Sequence, residues 1–331
     1  MKKSVHNFFA NLIDYAGLFP PAELEMQDAW QEFCALRDTE YRWMLPNFIC
    51  PASRLEELIK YFRKTSSDSG IFPFSILGSG GKDGSTFLSN MQKDVRLIAD
   101  FLSFNRKDSV VVNIFETAFP PQAIINGGQL EVHDIFRVTN DSISPVLNEP
   151  GMIFYELSVL EPEWDIIQSF IEAISAYNDS ARIESFTEAQ HLVGFKMRCG
   201  GVTAGAFPTV DTLSGVVSLC RKHKVPLKAT AGLHHPIRHF DSALKTKMHG
   251  FINLIGAVIL AYCHRLNIDQ IRKIISDEDA ESFSFSDDFF RWQDCEANEA
   301  QITSARRQAF LSFGSCCIDE PIDDLKALGI F

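Results

Sequence analysis

The stretch from His191 to Pro236 decides the fold class, and it reads HLVGFKMRCGGVTAGAFPTVDTLSGVVSLCRKHKVPLKATAGLHHP. Short apolar runs at 192–199 and 225–232 stand near its two ends, and each run stops at a glycine. The segment between them, 209–223, has its apolar residues at helical spacing. A strand, a helix and a second strand form a βαβ unit, in which the two strands are parallel.

Each strand of this unit carries a lysine within an otherwise apolar run. Side chains alternate between the two faces of a strand, so Lys196 and Arg198 share a face, as do Lys228 and Thr230. Lysine is rarely buried without a partner. Ligands in α/β folds bind near the carboxyl ends of parallel strands, so the pattern predicts a functional site there.

Six further strand-like runs bring the number of predicted strands to eight. The clearest of them, SVVVNIFE at 109–116, is rich in β-branched residues. Helices separate the strands, which favours a closed (β/α)8 barrel, the TIM barrel, over the alternative of a doubly wound open sheet. The predicted strands are 11–19, 42–50, 71–77, 109–116, 151–159, 192–199, 225–232 and 311–317.

The whole chain, residues 1–331, is predicted to form a single barrel domain, because no repeat or low-complexity linker divides it. The segment at approximately 267–309 is an additional helical and aromatic insertion before the last strand. Its aromatic cluster, between Phe283 and Trp292, is predicted to be an oligomer contact, a lid over the barrel mouth or additional core.

Composition limits the partners and the compartment. The chain has 31 Lys and Arg against 43 Asp and Glu, a formal net charge of −12, and no basic cluster with interleaved aromatic residues, so nucleic acid is not an expected partner. The most apolar stretch, 251–263, is too short to span a membrane and predicts a buried helix. Eight cysteines without a CxxC pair indicate reduced thiols in a cytoplasmic protein. The expected partner is a small-molecule substrate, and the sequence is compatible with either a monomer or a homo-oligomer.

Lys196 is the strongest candidate for a nucleophile. A lysine amine must be neutral to attack a carbonyl carbon, and we expect burial, together with the charges of Arg198 and Lys228, to lower its pKa. Glu156 or Glu116 would then transfer protons as a general acid and base. The alternative is a buried ionic network that only fills the barrel.

Two motifs resemble the sixth and seventh strands of class I aldolases of the deoxyribose-phosphate aldolase type. They are FKMRCGG at 195–201 and PLKATAG at 226–232, and the separation of their lysines, 228 − 196 = 32, is similar to that in the family. The run SFGSC at 312–316 also resembles the phosphate-binding turn of the family at strand eight. The resemblance implies that Lys196 forms a Schiff base and that Lys228 tunes its pKa.

The same resemblance implies a phosphate near Gly232, Gly314 and Ser315. The chain departs from the family at strand four, where Asn113 and Glu116 stand in place of an aspartate.

The chain as a whole also resembles a bacterial family of TIM-barrel proteins. The motifs that carry this resemblance are DYAGLFPP at 14–21, KATAGLHHP at 228–236 and HGF-N at 249–253. This second resemblance implies a barrel and no particular activity.

The sequence therefore predicts an aldolase-like carbon–carbon lyase that acts through a Schiff-base lysine on a small carbonyl metabolite, phosphorylated or not. The predicted catalytic residues are Lys196, Lys228, Glu156 and Glu116, and neither a cofactor nor a metal is expected. The residues predicted to bind the substrate are Asp14, Asn113, Arg198, Gly232, His234, His235, Gly314 and Ser315.

Two other classes of function stay open. His234, His235, His239 and His249 lie within a short segment and could hold the metal of a hydrolase or lyase, although no HxH or HExxH spacing occurs. A barrel that binds a metabolite without chemistry is the third class.

Overall fold

Eight parallel strands form a closed barrel in the computed structural model, which describes residues 1–62, 70–104, 109–148, 150–157, 164–184 and 191–331. The strand order β1-β8-β7-β6-β5-β4-β3-β2 returns to β1, so the predicted (β/α)8 barrel is confirmed and the open sheet is wrong. The barrel strands are β1 (Ile13–Tyr15), β2 (Phe48–Pro51), β3 (Phe72–Leu77), β4 (Val110–Ala118), β5 (Met152–Glu156), β6 (Leu192–Arg198), β7 (Leu227–Thr230) and β8 (Phe310–Ser315).

Helices connect the strands on the outside of the barrel, as the alternating pattern of the sequence predicts. They are α1 (Lys3–Phe9), α2 (Met26–Arg37), α3 (Leu55–Phe62), α4 (Gly84–Phe104), α5 (Pro121–Ile143), α6 (Trp164–Glu184), α7 (Val210–His223), α8 (Phe251–His264), α9 (Ile268–Ser276), α10 (Glu299–Gln308) and α11 (Asp319–Ala327).

Strand β6 shows how the sequence directs its lysine into the barrel. Phe195 belongs to the hydrophobic core on the helix-facing side of the strand. It packs on Phe170 of α6, with ring centroids 6.1 Å apart. Asn178 of α6 bonds both backbone groups of Val193, at 2.8 and 2.9 Å. Because side chains alternate along a strand, these contacts leave Lys196 on the interior face.

The strand predicted at 42–50 is shorter in the structure. It begins only at Phe48 and is preceded by a 3-10 turn, Arg42–Met44. Ahead of α8, residues 239–248 form a hairpin. Its turn is held by the Asp241 carboxylate, which accepts a 2.6 Å hydrogen bond from the Leu244 backbone N–H. The end of the strand predicted at 151–159 lies outside the described residues.

The insertion before the last strand is confirmed, and its aromatic cluster is core. A three-stranded antiparallel sheet, 283–298, stands between α9 and α10. Phe8 of α1 packs against Phe285 and Phe290, with ring centroids 5.2 and 4.8 Å apart. Gly256 of α8 gives Phe290 its space, since a Cβ atom there would lie 2.6 Å from the ring. The cluster therefore joins the sheet to α1 and α8.

None of the helices in the described part of the chain is long and apolar enough to cross a membrane. The most apolar stretch forms α8, which is a buried helix as predicted.

Candidate active site

A cavity of about 400 Å³ opens at the carboxyl ends of the barrel strands. Parallel barrels place ligand sites at this end, because the loops that follow the strands surround it. Half of the predicted site residues line the cavity: Glu156, Lys196, Arg198, His234, Gly314 and Ser315.

Lys196 lies at the floor of the cavity between two carboxylates. Its Nζ atom is 2.9 Å from Oε2 of Glu116 and 3.0 Å from Oε2 of Glu156. The Lys196 side chain is 6% exposed, Glu116 is fully buried and Glu156 is 19% exposed. Glu156 also accepts a bond from Nε of Arg198 at 3.2 Å, and the Arg198 side chain is 45% exposed.

A second buried ion pair lies deeper in the barrel. Lys228 contacts the Asp14 carboxylate, and both side chains are fully buried. Nζ of Lys228 also lies 2.9 Å from the Ser312 hydroxyl and 3.4 Å from Oε1 of Glu116. The Ser312 hydroxyl donates to Asp14 at 2.6 Å. Every buried charge here therefore has an oppositely charged partner, as burial requires.

The two pairs join into one row of alternating charges that runs from the barrel interior to the cavity. The register explains the row, because Glu156 of β5 stands opposite Lys196 of β6, which stands opposite Lys228 of β7. The buried ionic network therefore reaches the cavity, where Lys196, Glu156 and Arg198 belong to the lining. In order from the interior, the row is Asp14, Lys228, Glu116, Lys196, Glu156 and Arg198.

The electrostatics correct one prediction about Lys196. Burial alone would lower the pKa of Lys196, but the nearby Glu116 and Glu156 carboxylates outweigh burial and raise it above the usual 10.5. Burial acts against ionisation of Glu116 too, yet Lys196 and Lys228 bring its pKa down to about 2. The pKa of Glu156 is also lowered, by Lys196 and Arg198 against the effect of burial. The expected lowering of the Lys196 pKa is therefore wrong. Arg198 and Lys228 pair with the same two carboxylates, so the cations do not act on Lys196 alone.

Two predicted substrate-binding residues lie away from the cavity. Asp14 is fully buried at the inner end of the charged row and accepts a 2.7 Å bond from Asn47, so it does not line the cavity. Asn113 donates to Asn47 at 3.1 Å and lines a separate cavity at the amino end of the barrel. A register shift places Asn113 in a β-bulge, where two residues of β4 oppose one of β3.

Two further predicted contacts are absent from the cavity lining. Gly232 has a φ of +70°, and a Cβ atom on it would lie 2.6 Å from the Cα of Gly200, so the residue permits two loops to approach each other. His235 lies near two carboxylates instead, with Nδ1 2.6 Å from Oδ2 of Asp324 and Nε2 3.6 Å from Glu320. Of the two adjacent histidines, only His234 faces the cavity.

The histidine cluster does not form a metal centre. His249 is buried, and its ring nitrogens lie 2.7 Å from the Pro208 carbonyl and 2.9 Å from the Arg238 guanidinium. Within the ranges that the structure describes, no three His, Cys, Asp or Glu side chains converge as a metal site requires. The arrangement therefore does not favour the metal-dependent alternative.

The amino end of the barrel holds a larger cavity of about 1050 Å³. Three polar side chains in its wall, those of Asn47, Asn113 and Arg306, have partners within the protein. Arg306, which is 8% exposed, donates to the carbonyls of five residues near the ends of α1 and β8. Lys196 and Glu156 line the smaller cavity and not this one. The five carbonyl oxygens belong to Phe8, Ala10, Asn11, Phe310 and Leu311.

Three polar residues that contact the charged row were not predicted as site residues. Ser75 donates to the Glu116 carboxylate, Ser312 bridges Lys228 and Asp14, and Asn47 bonds Asp14. A serine inside an apolar strand is the signal that could have found Ser75 and Ser312.

Comparison with known proteins adds only a distant likeness. No protein-family model matches the sequence, and no curated protein matches it. Among solved structures, the chain is similar to two of a "putative deoxyribose-phosphate aldolase" from Toxoplasma gondii ME49, one of them an apo form. Both have a TM-score of 0.48, with sequence identities of 10% and 11%. The similarity extends over 98% of this chain in both comparisons, and over 95% and 96% of the two aldolase chains. At this level of similarity nothing follows for the activity.

Proposed function

We propose that this protein is a carbon–carbon lyase that binds a small carbonyl compound as an imine of Lys196. The observation that carries the proposal is the position of Nζ of Lys196, within 3.0 Å of both Glu116 and Glu156 at the floor of the cavity. Lys196 is also the one lysine among the described residues of the lining. An amine there meets an incoming carbonyl group in a site sheltered from water.

The two carboxylates suit the covalent intermediate because an iminium ion carries the same positive charge as an ammonium ion. Glu156 takes a proton from the ammonium of Lys196, and the free amine attacks the carbonyl carbon to give a carbinolamine. Glu156 returns the proton to the hydroxyl, which leaves as water. The positive charge between Glu116 and Glu156 is then the same before and after the reaction, so the buried row keeps its balance.

The iminium ion supplies the driving force for cleavage. It draws electrons from the bond between the carbons α and β to the iminium carbon, while Glu156 accepts the proton of the hydroxyl group on the β carbon. That bond breaks, an aldehyde leaves, and the electron pair forms an enamine on Lys196. Glu156 returns the proton to the enamine carbon, and water releases the second product.

The roles of the two carboxylates differ because their surroundings differ. Glu156 is partly exposed to the cavity, so it can meet both the amine and the substrate. Glu116 is fully buried, with its pKa lowered to about 2, and it acts as a fixed negative charge. Lys228 holds Glu116 from the other side and does not reach the cavity.

Reductive trapping with cyanoborohydride and a panel of small aldehydes and ketones, followed by peptide mass spectrometry, tests the proposal. We expect an adduct on Lys196 that disappears in Lys196→Arg, which keeps the charge and cannot form an imine. Lys222→Arg, on the exposed side of α7, is the matched control and should keep the adduct. Adducts spread over surface lysines, or none, would contradict an imine-forming enzyme. Binding of a carbonyl compound without an adduct would favour the metabolite-binding barrel.

A further inference from the structure

The carboxyl-end cavity has two chemically different sides. The side formed by β5, β6 and the loop after β7 carries Glu156, Lys196, Arg198 and His234. The opposite side, formed by the ends of β1, β2 and β3 and their loops, is apolar. Its lining residues include Ala16, Phe19, Pro20, Ile49 and Leu77.

The apolar side offers little to a hydroxylated substrate. Phe19, Ile49 and Leu77 have no side-chain hydrogen-bonding groups, and a hydroxyl placed against them would lose its bonds to water without replacement. Ser315 is a polar residue of the lining, but its hydroxyl already donates to the Cys317 carbonyl at 2.6 Å. Hydrocarbon or aromatic groups fit this side better than a chain of hydroxyls.

Arg198 offers the charged side a place for an anion. It lies two residues beyond Lys196 on the same face of β6, so the two Cα atoms are about 6–7 Å apart. Its contact with Glu156 uses Nε, and the side chain is 45% exposed. The terminal nitrogens of a guanidinium form a planar fork that matches a carboxylate. An anionic group bound there would stand close to a carbonyl at Lys196.

The charge balance favours a carboxylate over a phosphate monoester. The row from Asp14 to Arg198 contains three carboxylates and three cations, so its formal charge is zero. A carboxylate adds one negative charge, whereas a phosphate monoester adds about 1.5 to 2 at neutral pH. Gly232, part of the expected phosphate site, is not in the lining.

We propose that the substrate is a small carbonyl acid with an apolar body, such as a 4-hydroxy-2-oxo acid whose chain beyond the hydroxyl is hydrocarbon, the hydroxyl being the one that Glu156 deprotonates during cleavage. Its carbonyl reacts with Lys196, its carboxylate binds Arg198, and its body packs against Phe19, Ile49 and Leu77. This inference rests on the proposed function and narrows the expected small carbonyl metabolite, phosphorylated or not, to a carboxylic acid without a phosphate. Arg198 and the apolar side are thereby the specificity determinants of the site.

A matched pair of compounds tests the apolar body. We expect 2-oxohexanoate to be trapped on Lys196 at least about tenfold faster than its 4,5,6-trihydroxy counterpart, because each hydroxyl buried without a partner is unfavourable. Both rates are divided by those measured with N-acetyl-lysine, which removes differences in intrinsic reactivity. Equal rates, or a faster reaction of the trihydroxy acid, would overturn the apolar body. Leu77→Asn should reduce the difference between the two compounds.

The anion is tested by comparing 2-oxohexanoate with its methyl ester. Arg198→Gln should slow trapping of the acid about tenfold or more and leave the ester within about twofold, because only the acid uses the guanidinium. Arg198→Lys keeps the positive charge but lacks the paired guanidinium nitrogens. Its rate of trapping of the acid should lie between the rates of Arg198→Gln and of the unaltered protein. If the acid and the ester respond alike to Arg198→Gln, the carboxylate is not bound there.

Propanal separates failure of this inference from failure of the proposed function. It has neither an anion nor a long body, so it should form an imine at Lys196 even if the substrate class is wrong. A Lys196 adduct with propanal but no preference among the acids would overturn the substrate class alone. No Lys196 adduct with any compound, propanal included, would overturn both.

Discussion

Nζ of Lys196 lies 2.9 Å from Oε2 of Glu116, at the boundary between the cavity and the buried ionic row. The Lys196 side chain is 6% exposed and Glu116 is fully buried, so little water screens the attraction between the Glu116 carboxylate and the Lys196 amine. The resting amine is therefore an ammonium ion. Its proton has to be removed before it can attack, and this requirement governs how the site responds to pH and mutation.

Imine formation should accelerate as the pH rises. The pKa of Lys196 is raised above 10.5, so in the neutral range the free amine increases about tenfold with each pH unit. Trapping rates with propanal, measured between pH 6 and 9 and divided by those of N-acetyl-lysine, should give a constant ratio, because both amines are mostly protonated throughout this range. A ratio that falls as the pH rises would mean that Lys196 is already deprotonated there.

Replacing Glu116 by Gln should make Lys196 more reactive at neutral pH while it destabilises the protein. The variant removes one of the two carboxylates that raise the pKa of Lys196, so more free amine is present. We expect faster trapping and a loss of about 3 kcal/mol in the free energy of unfolding, because Lys228 and Lys196 both lose a buried partner. Glu56→Gln, on the exposed side of α3, is the control and should change neither. Slower trapping in Glu116→Gln would assign Glu116 a direct role in proton transfer.

Glu116 also predicts how stability depends on pH. Its pKa is about 2 in the folded protein and near 4.5 in the unfolded chain, so its contribution is present above about pH 4.5 and is lost as the pH falls toward 2. Urea denaturation across this range should show the loss, of about 3 kcal/mol. The free energy of unfolding of Glu116→Gln should depend less steeply on pH in this range, because the variant takes up about one proton fewer on unfolding. Parallel curves for the two proteins would contradict the ion pairs of Glu116.

Lys196→Arg should destabilise the protein less than Lys196→Met. Lys196→Met leaves the buried Glu116 and the partly buried Glu156 without their shared cation, which we expect to destabilise the protein by about 3–5 kcal/mol. Lys196→Arg keeps the charge and should cost less, about 1–3 kcal/mol for its added volume. Thermal unfolding of the two variants checks this order. The reverse order would mean that packing, not charge, governs the site.

Arg306 should matter to stability through its carbonyl partners. It donates to the backbone carbonyls of Ala10 and Asn11 on one side and of Phe310 and Leu311 on the other. Arg306→Lys cannot reproduce this fan of bonds, and we expect a loss of about 3 kcal/mol or more in the free energy of unfolding. The exposed neighbouring residue provides the control: Arg307→Lys should stay within about 0.5 kcal/mol.

Chelation should leave imine formation unchanged. Both ring nitrogens of His249 have partners within the protein, and among the described residues no three potential ligands converge. Trapping rates at Lys196 before and after dialysis against EDTA should agree within error. A loss that zinc or another divalent ion restores would revive the metal-dependent alternative.

The sequence predicted the barrel and its lysines because both leave a local signal. Strand-like runs separated by helical spacing predict the βαβ units, and a lysine inside an apolar strand is rare enough to identify Lys196 and Lys228 as special. Lys196 lines the cavity, whereas Lys228 is fully buried and does not.

The pairing of these lysines could not be predicted in the same way. Which carboxylate meets which lysine depends on strand register, and the bulge at Asn113 changes the alternation of β4 before Glu116. The sign of the Lys196 pKa shift depends on that pairing. Similarly, Ile49 and Leu77 look like ordinary core residues until barrel closure brings them to one side of the cavity.

The Asp14–Lys228 ion pair has a consequence for the order in which the chain can fold during synthesis. Its members are 214 residues apart, and β8, which lies between β1 and β7 in the barrel, is made last of the eight strands. A ribosome-bound chain that has not yet reached residue 310 keeps the facing edges of β1 and β7 unpaired. Open strand edges attract other chains, so the nascent protein is most vulnerable to aggregation just before its final strand emerges.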